Sequence, residues 1–224
     1  MQATVVSGTC PVIVDLHSPT TWALVPDDQR HWNIVDVDLS ASSTPEPKAG
    51  STSTATTAPP SSDLDVLVGP AILDESYAYF VVGVYHNSSP TADHISGSTT
   101  CAVDVIKVSL SDHAIVTSAR IIDNYVTSSL FLNNISFAFN DEHNALLVAG
   151  SKNPRNSSAK GFGLSLSSDD LSTQFDANTI LTEAYRSVDA KGETLVAKKD
   201  DGSVTIVYLR NGTVETRQDI EVEL

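Results

Sequence analysis

Residues 187–220, SVDAKGETLVAKKDDGSVTIVYLRNGTVETRQDI, decide the fold class. Apolar and β-branched residues gather in Thr194–Lys198, Ser203–Leu209 and Val214–Ile220, runs of strand length with no apolar positions at helical spacing. Between them stand Asp200-Asp201-Gly202 and Arg210-Asn211-Gly212, whose Asp-Gly and Asn-Gly pairs suit the positive φ of tight hairpin turns. With Ser187-Val188 in front, followed by Asp189 to Gly192, the stretch reads as four short strands joined by tight turns. That is an antiparallel meander.

The same order recurs towards the start of the chain. Phe137–Phe139, Asp141-Glu142, Ala145–Ala149, Phe162–Ser167 and Thr179–Leu181 form one such unit, and Ala71–Leu73, Asp74-Glu75, Tyr77–Tyr85, Val103–Leu110 and Ala119–Ile122 another. Val12–Leu16, Thr21–Val25 and Asn33–Leu39 give three strands of a first unit, and Asp65–Val68 is expected to supply its fourth. Residues 41–62, ASSTPEPKAGSTSTATTAPPSS, hold no apolar residue larger than alanine. Such a segment cannot bury enough surface to offset its ordering entropy, so it is expected to be a disordered insertion in a hairpin loop of one all-β domain spanning 1–224.

Four units of four strands resemble the blades of a β-propeller, a likeness of architecture carried by strand count and turn spacing. The resemblance implies blades stacked face to face, which accounts for near-continuous apolar runs such as Tyr79–Val82 and Ile206–Leu209. The fold class is therefore all-β, a propeller-like array of about four four-stranded blades; a β-sandwich is the alternative.

Charge narrows the function. Of 224 residues, 41% are apolar and 18% charged, with 13 Lys+Arg against 28 Asp+Glu and a net charge of −15. A surface so negative repels phosphate backbones and anionic headgroups, which argues against nucleic acid and membrane surfaces as partners. No apolar run approaches the roughly 20 residues of a spanning helix, so membrane insertion is not expected.

Two cysteines, Cys10 and Cys101, occur in a Ser/Thr-rich, lysine-poor chain, and a disulfide between them is expected. That bridge points to an extracellular or cell-surface location; the N-glycosylation sequons at Asn87, Asn134, Asn156 and Asn211 carry meaning only in a eukaryotic secretory pathway, since several such matches arise by chance in a Ser- and Asn-rich chain. The histidines form neither an HxH nor an HExxH pair, so neither a metal site nor a cofactor is expected. His94 beside Asp93, in the long loop after Tyr85, has the form of a base oriented by a carboxylate, yet a solvated loop pair is the commoner meaning. No Gly-x-Ser-x-Gly elbow is present, and the carboxylates fall mostly in turns.

The long loops Asn87–Thr100 and Asn153–Lys160 are the chemically diverse surface. The first carries Asp93 and His94; the second has Lys152, Arg155 and Lys160 at or beside its ends, a basic exception on an acidic chain. These five residues are the candidate contacts of a binding module that presents loops to a protein or glycan partner without catalysis. The alternatives are a structural subunit of a larger extracellular hetero-assembly, if the ring is incomplete, and a carbohydrate-active hydrolase or lyase at the mouth of a channel.

Overall fold

The strand Ala145–Ser151, ALLVAGS, is buried at every position, which requires both faces of its sheet to be covered. Leu146 and Val148 point into a core shared with the preceding sheet, and Leu147 and Ala149 into one shared with the following sheet. Alternation along one strand thus serves two cores, and the sequence needs no polar face.

The structure, a computed structural model, describes residues 2–6, 10–14, 21–26, 32–37, 47–48, 64–86, 99–127, 132, 134–152, 160–209 and 213–217. Among these it is all-β, without a helix. The first sheet is β1 (Gln2–Val6), β2 (Cys10–Val14), β3 (Thr21–Pro26), β4 (Trp32–Val37) and β5 (Pro47–Lys48). The second is β6 (Leu64–Leu73), β7 (Tyr77–His86), β8 (Thr99–Ser109) and β9 (Ile115–Thr127). The third is β10 (Ile135–Phe139), β11 (Ala145–Ser151), β12 (Gly161–Ser167) and β13 (Thr173–Asp176). The fourth is β14 (Ser187–Lys191), β15 (Thr194–Lys198), β16 (Val204–Tyr208) and β17 (Thr213–Arg217). Every sheet is an antiparallel meander in chain order.

The sheets stack in sequence. Leu24 of β3 and half-buried Ile34 of β4 join Ala78, Phe80, Val82 and Ile106 on one face of the second sheet. Leu67, Tyr79, Val81, Cys101, Val103 and Val105 on its other face meet Ile135, Phe137, Phe162 and Leu164 of the third. Ala177, Leu181 and Tyr185, from the connection after β13, complete the core between the third and fourth sheets with Val188, Leu195 and Val207. First strands adjoin: β10 lies between β6 and β14, and the Ala190 N–H donates to Ser136 Oγ at 3.0 Å. This is a propeller-like array of blades, three of them four-stranded.

Three strand assignments change. Asp65–Val68 belongs to β6 and pairs with β7, so residues 49–63 join two sheets instead of closing a hairpin within the first. The first sheet gains strands at its two edges instead, β1 against β2 and the two residues Pro47 and Lys48 against Val37 and Asp36. The rest of 41–62 lies outside the described residues. The last strand of the third sheet is Thr173–Asp176, because residues 179–181 turn: the Ile180 and Leu181 N–H groups both donate to the Ala177 carbonyl.

The Cys10–Cys101 bridge is also corrected. Cys101 is a free thiol, 2% exposed, on the face of β8 turned to the third sheet. Cys10 lies on β2 of the first sheet, which packs on the opposite face of the second through Leu24 and Ile34. A side chain cannot cross its own sheet, so the Cys101 thiol is turned away from the sheet that holds β2.

Candidate functional site

A meander sends alternate connections to opposite ends. The turns β6–β7, β8–β9, β10–β11, β12–β13, β14–β15 and β16–β17 share one end; the β7–β8, β11–β12 and β15–β16 connections and those between sheets share the other. Hydrogen bonds between sheets confirm that the ends coincide. Tyr79 Oη donates to the Ser168 carbonyl at the turn end, and the Val126 N–H donates to the Lys152 carbonyl at the loop end.

The turn end is acidic, with Asp74, Glu75, Asp112, Asp141, Glu142, Asp169, Asp170 and Glu193. Several of these carboxylates build the turns that carry them. Asp74 Oδ1 accepts from the N–H groups of Ser76 and Tyr77 at 2.7 Å each. The Ser172 hydroxyl and N–H hold Asp170 below the usual carboxylate range, and the Ser109 hydroxyl does the same for Asp112.

At the loop end the structure brings Lys152 and Lys160 together. The pair Ser151–Gly161 closes the β11–β12 ladder, and one step beyond it the Lys152 N–H donates to the Lys160 carbonyl at 3.0 Å. Lys152 is half-buried and Lys160 exposed. Lys160 also bridges to Ala184, which ties the loop base to the connection leading into β14. Arg155 lies outside the described residues, as do Asp93 and His94.

Three further cations, which the sequence reading passed over, stand at this end. The Arg186 N–H donates to the Lys198 carbonyl at 2.8 Å, and Lys199 pairs with Glu183. The Glu183 carboxylate raises the affinity of Lys199 for its proton, and the ammonium stands 5.9 Å from the Tyr185 ring centroid. Asp200 and Asp201 interleave with them, and Ser203 holds Asp201 below the usual range through its hydroxyl and N–H. The signal in the sequence was available: Lys198 and Lys199 end an outgoing strand, and every outgoing strand of a meander reaches the same end as the 152–160 loop.

Among the described residues no group of three or more His, Cys, Asp or Glu is placed to hold a metal ion. His143 stacks on Phe139 at 4.9 Å and 10°, and so is engaged in packing at the turn end. What the loop end offers chemically is a set of ammonium and guanidinium donors interleaved with Glu183, Asp200 and Asp201, of which Lys152 and Lys160 stand on the paired base of one loop.

No protein-family model matches the chain, and no curated protein matches it. Among solved structures the chain is similar to the WD40 β-propeller domain of Doa1, at 12% identity and a TM-score of 0.31, over 98% of this chain and 68% of that one. The blade arrangement described above stands on the strand pairing and on the cores between the sheets.

Proposed function

We propose that this chain is a non-catalytic binding module that engages an acidic surface of a protein partner through its loop end. The observation that carries this is the pinned base of the β11–β12 loop, where Lys152 and Lys160 are held side by side by backbone hydrogen bonds next to Arg186, Lys198 and Lys199. Arg155, between them in the sequence, is included in the proposal as a third contact.

Net charge does not oppose this at physiological salt. A seven-residue strand such as β11 spans about 23 Å. The Debye length is about 8 Å, so the acidic turn end is screened from the loop end. Rim cations of this kind steer encounter and fix orientation more than they add affinity.

An extracellular setting belongs to the same proposal. It rests on the Ser/Thr-rich composition and the sequons, of which Asn134-Ile135-Ser136 presents an exposed Asn134; the disulfide no longer supports it. Expression through a eukaryotic secretory pathway is expected to give endoglycosidase-sensitive protein.

A titration with hexaglutamate peptide, read by fluorescence anisotropy, tests the loop end. Replacement of Lys152, Arg155 and Lys160 by serine is expected to weaken binding several-fold and to flatten its salt dependence. Equal affinity in the triple variant removes this end from the function.

A further inference from the structure

The hairpin of β15 and β16 turns through the one Asp-Gly pair in the sequence, Asp201-Gly202. Such a pair is chemically fragile in an unfolded chain. The glycine nitrogen attacks the aspartate side-chain carboxyl carbon and forms a C–N bond. The carboxyl OH leaves as water, together with the amide proton. Water then adds to the five-membered imide and breaks the bond between its nitrogen and the main-chain carbonyl carbon. What remains is an isoaspartyl residue, with one extra methylene in the backbone. Glycine favours the attack because no Cβ hinders the approach.

We propose that Ser203 protects the Asp201–Gly202 bond from this rearrangement in the folded protein. Packing does not supply the protection. Asp201 is exposed, and a Cβ at Gly202 would meet no atom within 4 Å. Hydrogen bonds do. Asp201 Oδ1 accepts from the Ser203 N–H at 2.9 Å and from the Ser203 hydroxyl at 2.7 Å. Ser203 is itself 7% exposed, so little water competes for that hydroxyl.

These bonds oppose ring closure at both reacting atoms. The carboxyl must be protonated to lose its OH, and the Ser203 hydroxyl and N–H, with the charge of Lys199, hold Asp201 ionised below the usual range. The nitrogen must give up its proton, and the Gly202 N–H donates to the Lys199 carbonyl at 3.2 Å. The carboxylate is also tethered to the residue beyond Gly202, which restricts its rotation onto the nitrogen.

What is protected is the register of a hairpin. Lys198 pairs with Val204, and one step further the Lys199 N–H donates to the Ser203 carbonyl at 2.9 Å. An extra methylene between Lys199 and Ser203 would break that closing bond and displace both lysines. The protection does not depend on what the loop end binds.

The full chain is incubated at physiological pH and temperature, folded and in urea, and isoaspartate at residue 201 is followed by peptide mapping and enzymatic isoaspartyl methylation. The folded chain is expected to react several-fold more slowly than the unfolded one. Ser203→Ala is expected to raise the folded rate several-fold and to leave the unfolded rate unchanged. Ser203→Thr is expected to stay protected, and Ser203→Val, which matches threonine in shape without the hydroxyl, to lose protection; this pair decides the matter if alanine loosens the hairpin. Amide exchange at Gly202 is expected to stay near the wild-type rate in Ser203→Val. Equal folded and unfolded rates in the wild type, equal rates in Ser203→Thr and Ser203→Val, or a rise that only follows faster Gly202 exchange overturns the proposal.

Discussion

The Nζ of Lys107 lies 2.8 Å from the carbonyl oxygen of Ser168, a bond that ties the second sheet to the third across their common core. The side chain is 4% exposed, donates a second bond to the Asp169 carbonyl at 3.0 Å, and stands 3.9 Å from the Tyr77 ring centroid. Its partner turn also holds Leu171 at φ 61°, a conformation that favours glycine and is kept here by burial of the leucine in the core. The lysine acts as a structural donor to a strained turn.

Replacing Lys107 with methionine keeps the stem and removes the donors. Charge-assisted hydrogen bonds contribute about 1.5–3 kcal/mol, and unfolding free energy is expected to fall by about that amount. Urea denaturation with an unchanged m-value checks it; a change within error would show that the bonds add nothing net.

Cys101 gives a pH signature. Burial pushes its thiol up to about 12, and the Asp104 charge adds to the shift. Between an ordinary thiol pKa of about 8.5 and that value, the unfolded chain releases a proton that the folded chain keeps, so stability present below this window is lost as pH rises through it, by about 1.4 kcal/mol per unit. Tyr79 and Tyr125 shift upward through burial as well, which steepens the loss at higher pH. Cys101→Ala is expected to flatten the slope between pH 9 and pH 10, measured by denaturation at each pH. A thiol reagent is expected to react with Cys101 only on unfolding, and a reductant to leave the melting temperature unchanged.

Gly150 closes the packing beneath the loop end. A methyl group there would meet the Asn134 carbonyl oxygen at 2.7 Å and the Phe162 ring at 2.8 Å. The first obstacle is backbone and cannot rotate away, so Gly150→Ala is expected to cost about 1–3 kcal/mol. At Gly163 the obstacle is the end of the Leu195 side chain, which can turn aside. Gly163→Ala is expected to be the milder change in parallel thermal melts.

Asn140→Ala removes the four side-chain hydrogen bonds that join the β10–β11 turn to itself and to Glu193 of the β14–β15 turn. At about 1 kcal/mol for each hydrogen bond, a loss of about 2–4 kcal/mol is expected in urea denaturation.

Much of the architecture was legible because it is local. The period-two pattern located β7, β8, β11, β12, β15 and β16, and the turn at Asp200-Asp201-Gly202 has Gly202 at φ 85°, as an Asp-Gly pair suggests. The errors fell where a strand had to be assigned to a sheet. Asp65–Val68 was correctly extended and wrongly partnered, since alternation says that a segment is a strand and is silent on which neighbour it joins.

The candidate site divides in the same way. Lys152 and Lys160 flank one loop and can be paired from the sequence, whereas Arg186, Lys198 and Lys199 join them only through the pairing of β14 with β15 and the Lys160–Ala184 bridge.

By itself the sequence determined the strand class, the turn types and the acidic net charge, because each follows from residue type and spacing along a few neighbouring positions. The tertiary structure alone decided that Cys101 faces away from the first sheet, and that Asn140, Gln174, Glu193 and Leu209 line one cleft. The physical reason is that the two faces of a strand buried on both sides are chemically alike. Nothing local marks which sheet covers which face, and only the stacking of one meander on the next assigns it.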